Sequence, residues 1–323
     1  MRMAHQKKAL IGLLVFTGVI ITAFTYISGN FKYREEITIA SNPLQDIRKA
    51  QFAGSWYPGT EKELRVRINN LIGRAKRTDI HGEIIALVSP HAGYDYSGFT
   101  AANSYKQIMG EQYEAVIVIA TSHREWFNWG SVYPGDGFKT PLGVVPVHKS
   151  LAKAIVAEDE LMRFSMEGHR AEHSLEIQLP FLQVAIQDLK IVPICVGQYS
   201  LNTCKRLASA ITNAVKGRKI LIVASTDLYH GESEKECVRT NDRTIEKILE
   251  LHPEELCDGL IDQTYQACGG GPVVVAEMVA INLGANKAKL LHRTNSGKVT
   301  GQKGGYVVGY CAVAIYKEDK TEN

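Results

Sequence analysis

The six cysteines, at 195, 204, 237, 257, 268 and 311, include no CxxC pair and no dense spacing. That excludes the stapled framework with which small secreted domains replace a hydrophobic core. Beyond a short N-terminal cluster there is no block of Lys and Arg, and the net charge is only +3 over 323 residues. The electrostatic footprint of a nucleic-acid binder is therefore missing, and no nucleic-acid partner is expected. Internal repeats and low-complexity tracts are absent as well. What is present is enough chain to bury a substantial core in one large or two modest domains.

Charge is also missing from Ala9 to Ile27, a nineteen-residue run preceded by Arg2, Lys7 and Lys8. A bilayer takes ~20 apolar residues. The run exceeds the ~7–15 apolar residues of a signal peptide, and no small-x-small cleavage site follows it. The expectation is a single-pass N-terminal membrane anchor within residues 1–30 and a body outside the cytoplasm, with a cleaved secretion signal as the alternative. Lys32 and Arg34, just past the run, dilute the basic bias that would fix its orientation. Residues 31–44 then read as a linker, 45–318 as one α/β domain and 319–323 as a tail.

Thr60-Glu-Lys-Glu63 has the capping-box arrangement, and Leu64, Ile68, Leu71, Ile72 and Ala75 follow at helical spacing. Apolar runs then alternate with helical stretches. Strands are predicted over 83–89, 115–121, 190–196 and 219–225. Helices are predicted near 99–109, 151–157, 174–186, 202–215, 233–251, 253–261 and 273–283. Continuous strands alternating with helices imply a mainly parallel central sheet covered on both faces. Residues 289–294 and 306–316 read as an antiparallel ribbon at its edge, separated by the turn-forming Asn295-Ser-Gly297, and a hairpin is expected around 135–143.

Open α/β sheets bind ligands outside the carboxyl ends of their strands. His91 and His123 each fall two residues past a predicted strand, and Asp227 with His230 follow a third. A single such His serves as readily in a loop or cap; three strands delivering imidazole or carboxylate to one edge point to a site. Asp227 also suits an N-cap, and Tyr94 and Tyr96 also suit packing over the sheet edge. In Ala267-Cys-Gly-Gly-Gly-Pro-Val273 the glycines free backbone N–H groups for a ligand. The helix that Pro272 opens should lower the pKa of Cys268, the alternative being a flexible loop with an incidental thiol. Glu172-His173 opens another helix, as cap or as site.

The segments Ala53-Gly-Ser-Trp-Tyr-Pro58, Ser89-Pro-His-Ala-Gly-Tyr94 with Ser97-Gly98, Ser122-His123, Glu172-His-Ser-Leu-Glu176 with Leu179-Pro180, Ser225-Thr-Asp-Leu-Tyr-His230 and Cys268-Gly-Gly together resemble the Memo-like family, that of AmmeMemoRadiSam system protein B. They run in family order across about 45–316. The resemblance implies the fold of class III extradiol ring-cleaving dioxygenases, which hold non-haem iron between two His and one carboxylate. It implies His91 and His123 as metal ligands, Cys268 in the third position and His230 as the acid/base histidine. It also implies iron or copper as the metal, functional association with other AmmeMemoRadiSam system proteins, and phosphotyrosine-peptide binding as in animal signalling. A thiolate is softer than a carboxylate, so dioxygenase activity does not follow from the fold alone.

Three mechanisms are therefore expected to compete. The leading one is a mononuclear His91/His123/Cys268 metal site, with Asp227 and His230 beside it or serving proton transfer to an unknown small substrate. The second is a metal-free hydrolase with Cys268 as nucleophile, His230 as base and Asp227 as orienter. The third is a non-catalytic pocket for an anionic peptide, engaged by the Gly269–Gly271 backbone or Arg124. Tyr94, Trp129 and His173 are further pocket candidates, and Trp126, Phe127 and Trp129 alternatively form a packed lid.

Overall fold

The computed structural model describes residues 44–302 and 304–319. Along these residues come β1 (Ile47–Arg48), α1 (Glu61–Arg74), β2 (Gly82–Ser89), α2 (Gly98–Lys106), β3 (Ala115–Thr121), β4 (Gly130–Val132), β5 (Gly137–Thr140), β6 (Gly143–Pro146), α3 (Lys149–Glu158) and β7 (Met162–Phe164). A 3-10 turn, Glu176–Gln178, leads into α4 (Leu179–Ala185). Then follow β8 (Ile191–Val196), α5 (Leu201–Val215), β9 (Ile220–Ser225), β10 (His230–Gly231), α6 (Glu234–Glu250), α7 (Pro253–Ile261), α8 (Gly270–Asn282), β11 (Lys287–Asn295), α9 (Ser296–Thr300) and β12 (Val307–Glu318).

Local chemistry accounts for the boundaries. Thr60 caps α1, accepting the Glu63 N–H and donating its hydroxyl to the Glu63 carboxylate, after which Leu64, Ile68, Leu71 and Ile72 share the buried face of the helix. Strands β3, β8 and β9 are buried at every position, as continuous apolar runs require when both faces of a sheet are covered.

The fold differs from the single, mainly parallel sheet predicted from the strand runs. Among the described residues it is a mixed α/β structure with two sheets. The larger has nine strands in the order β10-β12-β2-β9-β3-β8-β4-β7, with β11 also paired to β12. Only β2, β9, β3 and β8 form a contiguous parallel core. β12 runs antiparallel to β2, β10 and β11, and β4 antiparallel to β8. The smaller sheet is β1-β5-β6. Strands as short as β1, β4 and β7, two or three residues each, carry no periodicity that sequence can display. The turn expected at Asn295-Ser-Gly297 is the start of α9, capped by the Asn295 side chain on the Lys298 N–H at 2.8 Å.

The expected membrane anchor also requires correction. Its apolar run lies outside the described residues, and among those described no helix is long and apolar enough to cross a membrane. Neither the transmembrane helix nor the placement of the body beyond a membrane has structural support.

Helix α8 is buried from Gly270 to Ala280, and it carries one carboxyl, Glu277, whose two oxygens have no hydrogen-bond partner. Burial holds its pKa well above the ordinary 4.5, so the folded chain keeps it protonated. The unfolded chain ionises it above pH ~4.5, so stability is complete below that value and declines as pH rises toward the folded pKa, by ~1.4 kcal/mol per unit. Glu277→Gln removes this term. Urea unfolding should show the variant gaining on the native chain by about that slope between pH 5 and 7, and a constant difference would contradict an ionisable buried carboxyl.

Candidate metal centre

Strands β2, β9 and β3 are neighbours in one parallel ladder, so the loops after them open at the same edge. The β2 loop carries His91, the β3 loop His123 and the β9 loop Asp227, while His230 opens β10 just beyond it. Cys268 reaches this edge from the segment before α8. Its N–H donates to the Asp227 carbonyl at 3.1 Å, and its sulfur receives the Asp227 N–H at 3.3 Å. The imidazole and thiol donor atoms of His91, His123 and Cys268 all lie within 4.8 Å of one another. The His91 Nε2 to Cys268 Sγ distance is 3.1 Å.

The protonation of each ring follows from its partners. Ser225 Oγ donates its only proton to the Ser174 carbonyl at 2.6 Å and accepts from Gln178 Nε2 at 2.8 Å. It must therefore accept from His91 Nδ1, 3.0 Å away, which leaves His91 Nε2 as a lone pair facing the thiol. Burial, reinforced by His173 and His123, pushes the His91 pKa well below its ordinary value, so the ring is neutral.

One carboxylate serves the other two rings. Glu172 Oε1 lies 2.9 Å from His123 Nδ1 and 3.1 Å from His173 Nδ1, and Oε2 accepts the His123 backbone N–H at 2.7 Å. Burial would raise the Glu172 pKa, but the hydrogen bonds from His123 and His173 prevail and hold it far below the carboxylate range. An ionised Glu172 fixes both rings with Nδ1 protonated and Nε2 free, the arrangement that metal-binding histidines use. The His123 and His173 rings stack at 4.6 Å, and each stands 5.2 Å from His91, edge to face.

The remaining sequence candidates divide. Asp227 Oδ1 accepts the His91 N–H at 2.8 Å. Its pKa is raised to about 7 by burial, against hydrogen bonds from the His91 and Ala92 backbone, so the carboxyl fastens the His91 loop. His230 donates Nδ1–H to the Leu228 carbonyl at 2.9 Å, presenting Nε2 outward. His91, His123, His173, Asp227 and His230 all line one cavity of about 540 Å³, whose walls include Trp56, Tyr96 and Tyr306.

Tyr94 lies outside this cavity, buried against Phe181 with its hydroxyl on the Ile177 carbonyl. Trp129 packs on Phe127 and beneath Arg163, and Arg124 is exposed without lining the cavity. The loop aromatics form no common lid, since Trp126 is 84% exposed.

Two further expectations are overturned. The helix start does not acidify Cys268: burial, and then the Asp227 charge, raise its pKa well above 9.0, outweighing the hydrogen bonds. Nor is the triad assembled, because the thiol meets His91 while Asp227 holds backbone. The glycines also have a steric purpose. The Gly269 N–H donates to Thr226 Oγ1 and the Gly270 N–H to the Ala267 carbonyl. A Cβ at Gly269 would meet the Ser225 carbonyl, and Cβ atoms at Gly270 or Gly271 would meet Tyr199. They admit close packing of α8, and two of the N–H groups offered to an anion are already engaged.

Sequence reading missed what Glu172, Ser174, Glu176 and Gln178 do together. All four are buried: Glu172 serves the histidines, Ser174 and Gln178 serve Ser225, and Glu176 receives Arg48, Gln51, Phe52 and Tyr57. Polar residues at alternate positions from Glu172 to Gln178 were the available signal.

Residues 48–314 match the family model described as Memo-like protein. Among curated proteins, the chain is 36% identical over 272 residues to a MEMO1 family protein of Nitrosopumilus maritimus, covering 83% of this chain and 98% of that one. It is 35% identical over 280 residues to one of Methanosarcina barkeri (83% and 100%) and 34% identical over 281 residues to one of Thermotoga petrophila (83% and 99%).

Proposed function

This chain belongs to the Memo-like family, and from that premise and the site geometry we propose that it holds one metal ion, iron or copper, between His91, His123 and Cys268. The observation that carries the reading is the convergence of three donor atoms within 4.8 Å, drawn from three separate parts of the chain. Ligands ~2.0–2.3 Å from a common ion lie up to ~4.6 Å apart, so the cluster is within side-chain adjustment of such an arrangement. Two imidazoles and a thiolate form a soft set suited to copper, or to iron with a thiolate ligand. Bound there, the ion would supply Lewis-acid and redox chemistry to a small molecule in the cavity.

The chain's own residues do the rest. Ser225 and Glu172 set the tautomers of the ligands, and Asp227 fixes the loop that carries His91. His230, with Nδ1 committed to backbone, offers Nε2 to receive a proton from a bound molecule. Trp56, Tyr96 and Tyr306 flank the bound molecule with apolar surface. The raised thiol pKa and the missing His230–Asp227 hydrogen bond disfavour the metal-free hydrolase.

Elemental analysis of anaerobically purified protein should give close to one metal per chain, with His91→Ala and His123→Ala substantially depleted. Glu172→Gln should weaken metal affinity by ~10–100-fold, the cost of losing an orienting partner, with circular dichroism unchanged. Equal loading of all four proteins would refute the site.

A further inference from the structure

Strands β9, β3 and β8 are consecutive in the sheet and parallel, so the loop after β8 opens at the same edge as the cavity, next to the loop that carries His123. The two loops are locked together at their base. The Gln198 N–H donates to the Phe127 carbonyl at 2.6 Å, and a Cβ at Gly197 would strike that same carbonyl. Beside this seam lies a groove of about 530 Å³, lined by Ser122, His123, Trp126, Gln198, Tyr199 and Ile261. Among the described residues, His123 alone lines both the groove and the cavity. Tyr199 also fills the space where side chains at Gly270 and Gly271 would fall, just past Cys268.

The two openings treat the ligands differently. His91 is 1% exposed and lines the cavity but not the groove, whereas the His123 side chain is 31% exposed. Glu172 holds His123 Nδ1, which leaves Nε2 as the free donor of the most accessible imidazole in the set. An arriving ion meets the most accessible ligand first, and a departing ion lets go of it last. A molecule seated against Trp56, Tyr96 and Tyr306 fills the cavity side. The groove still reaches His123 from the side of the β8 loop.

We propose that this groove is the path by which the metal ion enters and leaves, with His123 as its first ligand on entry and its last on exit. The route rests on the metal centre proposed above and supplies the entry path that such a centre requires. It lets the ion exchange while the cavity is occupied. Trp126 and Ile261, 84% and 55% exposed, stand at its rim, so bulk added or removed there changes the barrier to passage without touching a ligand.

Cobalt(II), which absorbs strongly when a thiolate binds it, is the probe ion. Its uptake by full-length metal-free protein, and its extraction from the loaded protein by EDTA, are followed by stopped-flow absorption. Ile261→Trp should slow both processes by roughly tenfold, and Trp126→Ala should hasten both. Because the ligands are unchanged, uptake and extraction should move by the same factor, and the affinity measured by chelator competition should stay native. Thr300→Trp, on the cavity lining, should leave both rates unchanged. Native rates in Ile261→Trp and Trp126→Ala, or slowing confined to Thr300→Trp, would overturn the route while leaving the centre in place. A native chain that took up no cobalt would refute the centre itself, and the route with it. Trp126→Ala trims an exposed side chain, so it decides the matter even where Ile261→Trp fails to fold.

Discussion

Cys268→Ala is expected to lower metal affinity by more than the ~10–100-fold that an outer partner costs, and to flatten its dependence on pH. In the native chain the thiol is protonated through neutral pH, because burial and the Asp227 charge raise its pKa above 9.0. Binding a metal must expel that proton, so affinity should climb roughly tenfold for each pH unit. His91 adds nothing to the slope, since its burial already keeps the ring neutral. Competition titrations with a chelator of known affinity between pH 6 and 8 measure both effects. A variant that kept the native slope would show that the expelled proton comes from another group.

The second large effect lies away from the metal. Glu176→Ala should destabilise the fold by ~3–5 kcal/mol, because it leaves Arg48 buried without its counter-charge. The pair meets at 2.5 Å, with the two side chains 4% and 0% exposed. Arg48 also donates to the carbonyls of His169 and Glu172. The Glu176 carboxylate further accepts the Gln51 and Phe52 N–H groups and the Tyr57 hydroxyl. Replacing both partners by Met removes the stranded charge but not these orphaned donors. The double variant should recover part of the loss and stay below the native chain. Urea unfolding measures each step, and a loss under ~1 kcal/mol for Glu176→Ala would mean that the ion pair is not what holds β1 to the 3-10 turn.

Much of this was legible in the residues. The runs behind β2, β3, β8 and β9, the Thr60 cap of α1 and the histidines placed just past two strands needed only period and position. Sheet arrangement was less accessible, because pairing is a non-local choice: the antiparallel ribbon of β11 and β12 was expected, but nothing within Val307–Glu318 states that its other side will lie antiparallel to β2. The Cys268 pKa was misread for a related reason. A helix terminus is visible in sequence, but depth of burial, which here dominates, belongs to the whole fold. Glu172 looked like a cap because, beside the adjacent His173, its other imidazole partner, His123, lies 49 residues upstream and becomes a neighbour only after folding.

The oxygen of Glu172 shared by His123 and His173 means that these rings cannot be dissected independently. Truncating either releases half the tether of its neighbour and lets the carboxylate turn toward the survivor. Separate alanine losses should therefore fail to sum to that of the double replacement, and the discrepancy measures the linkage itself.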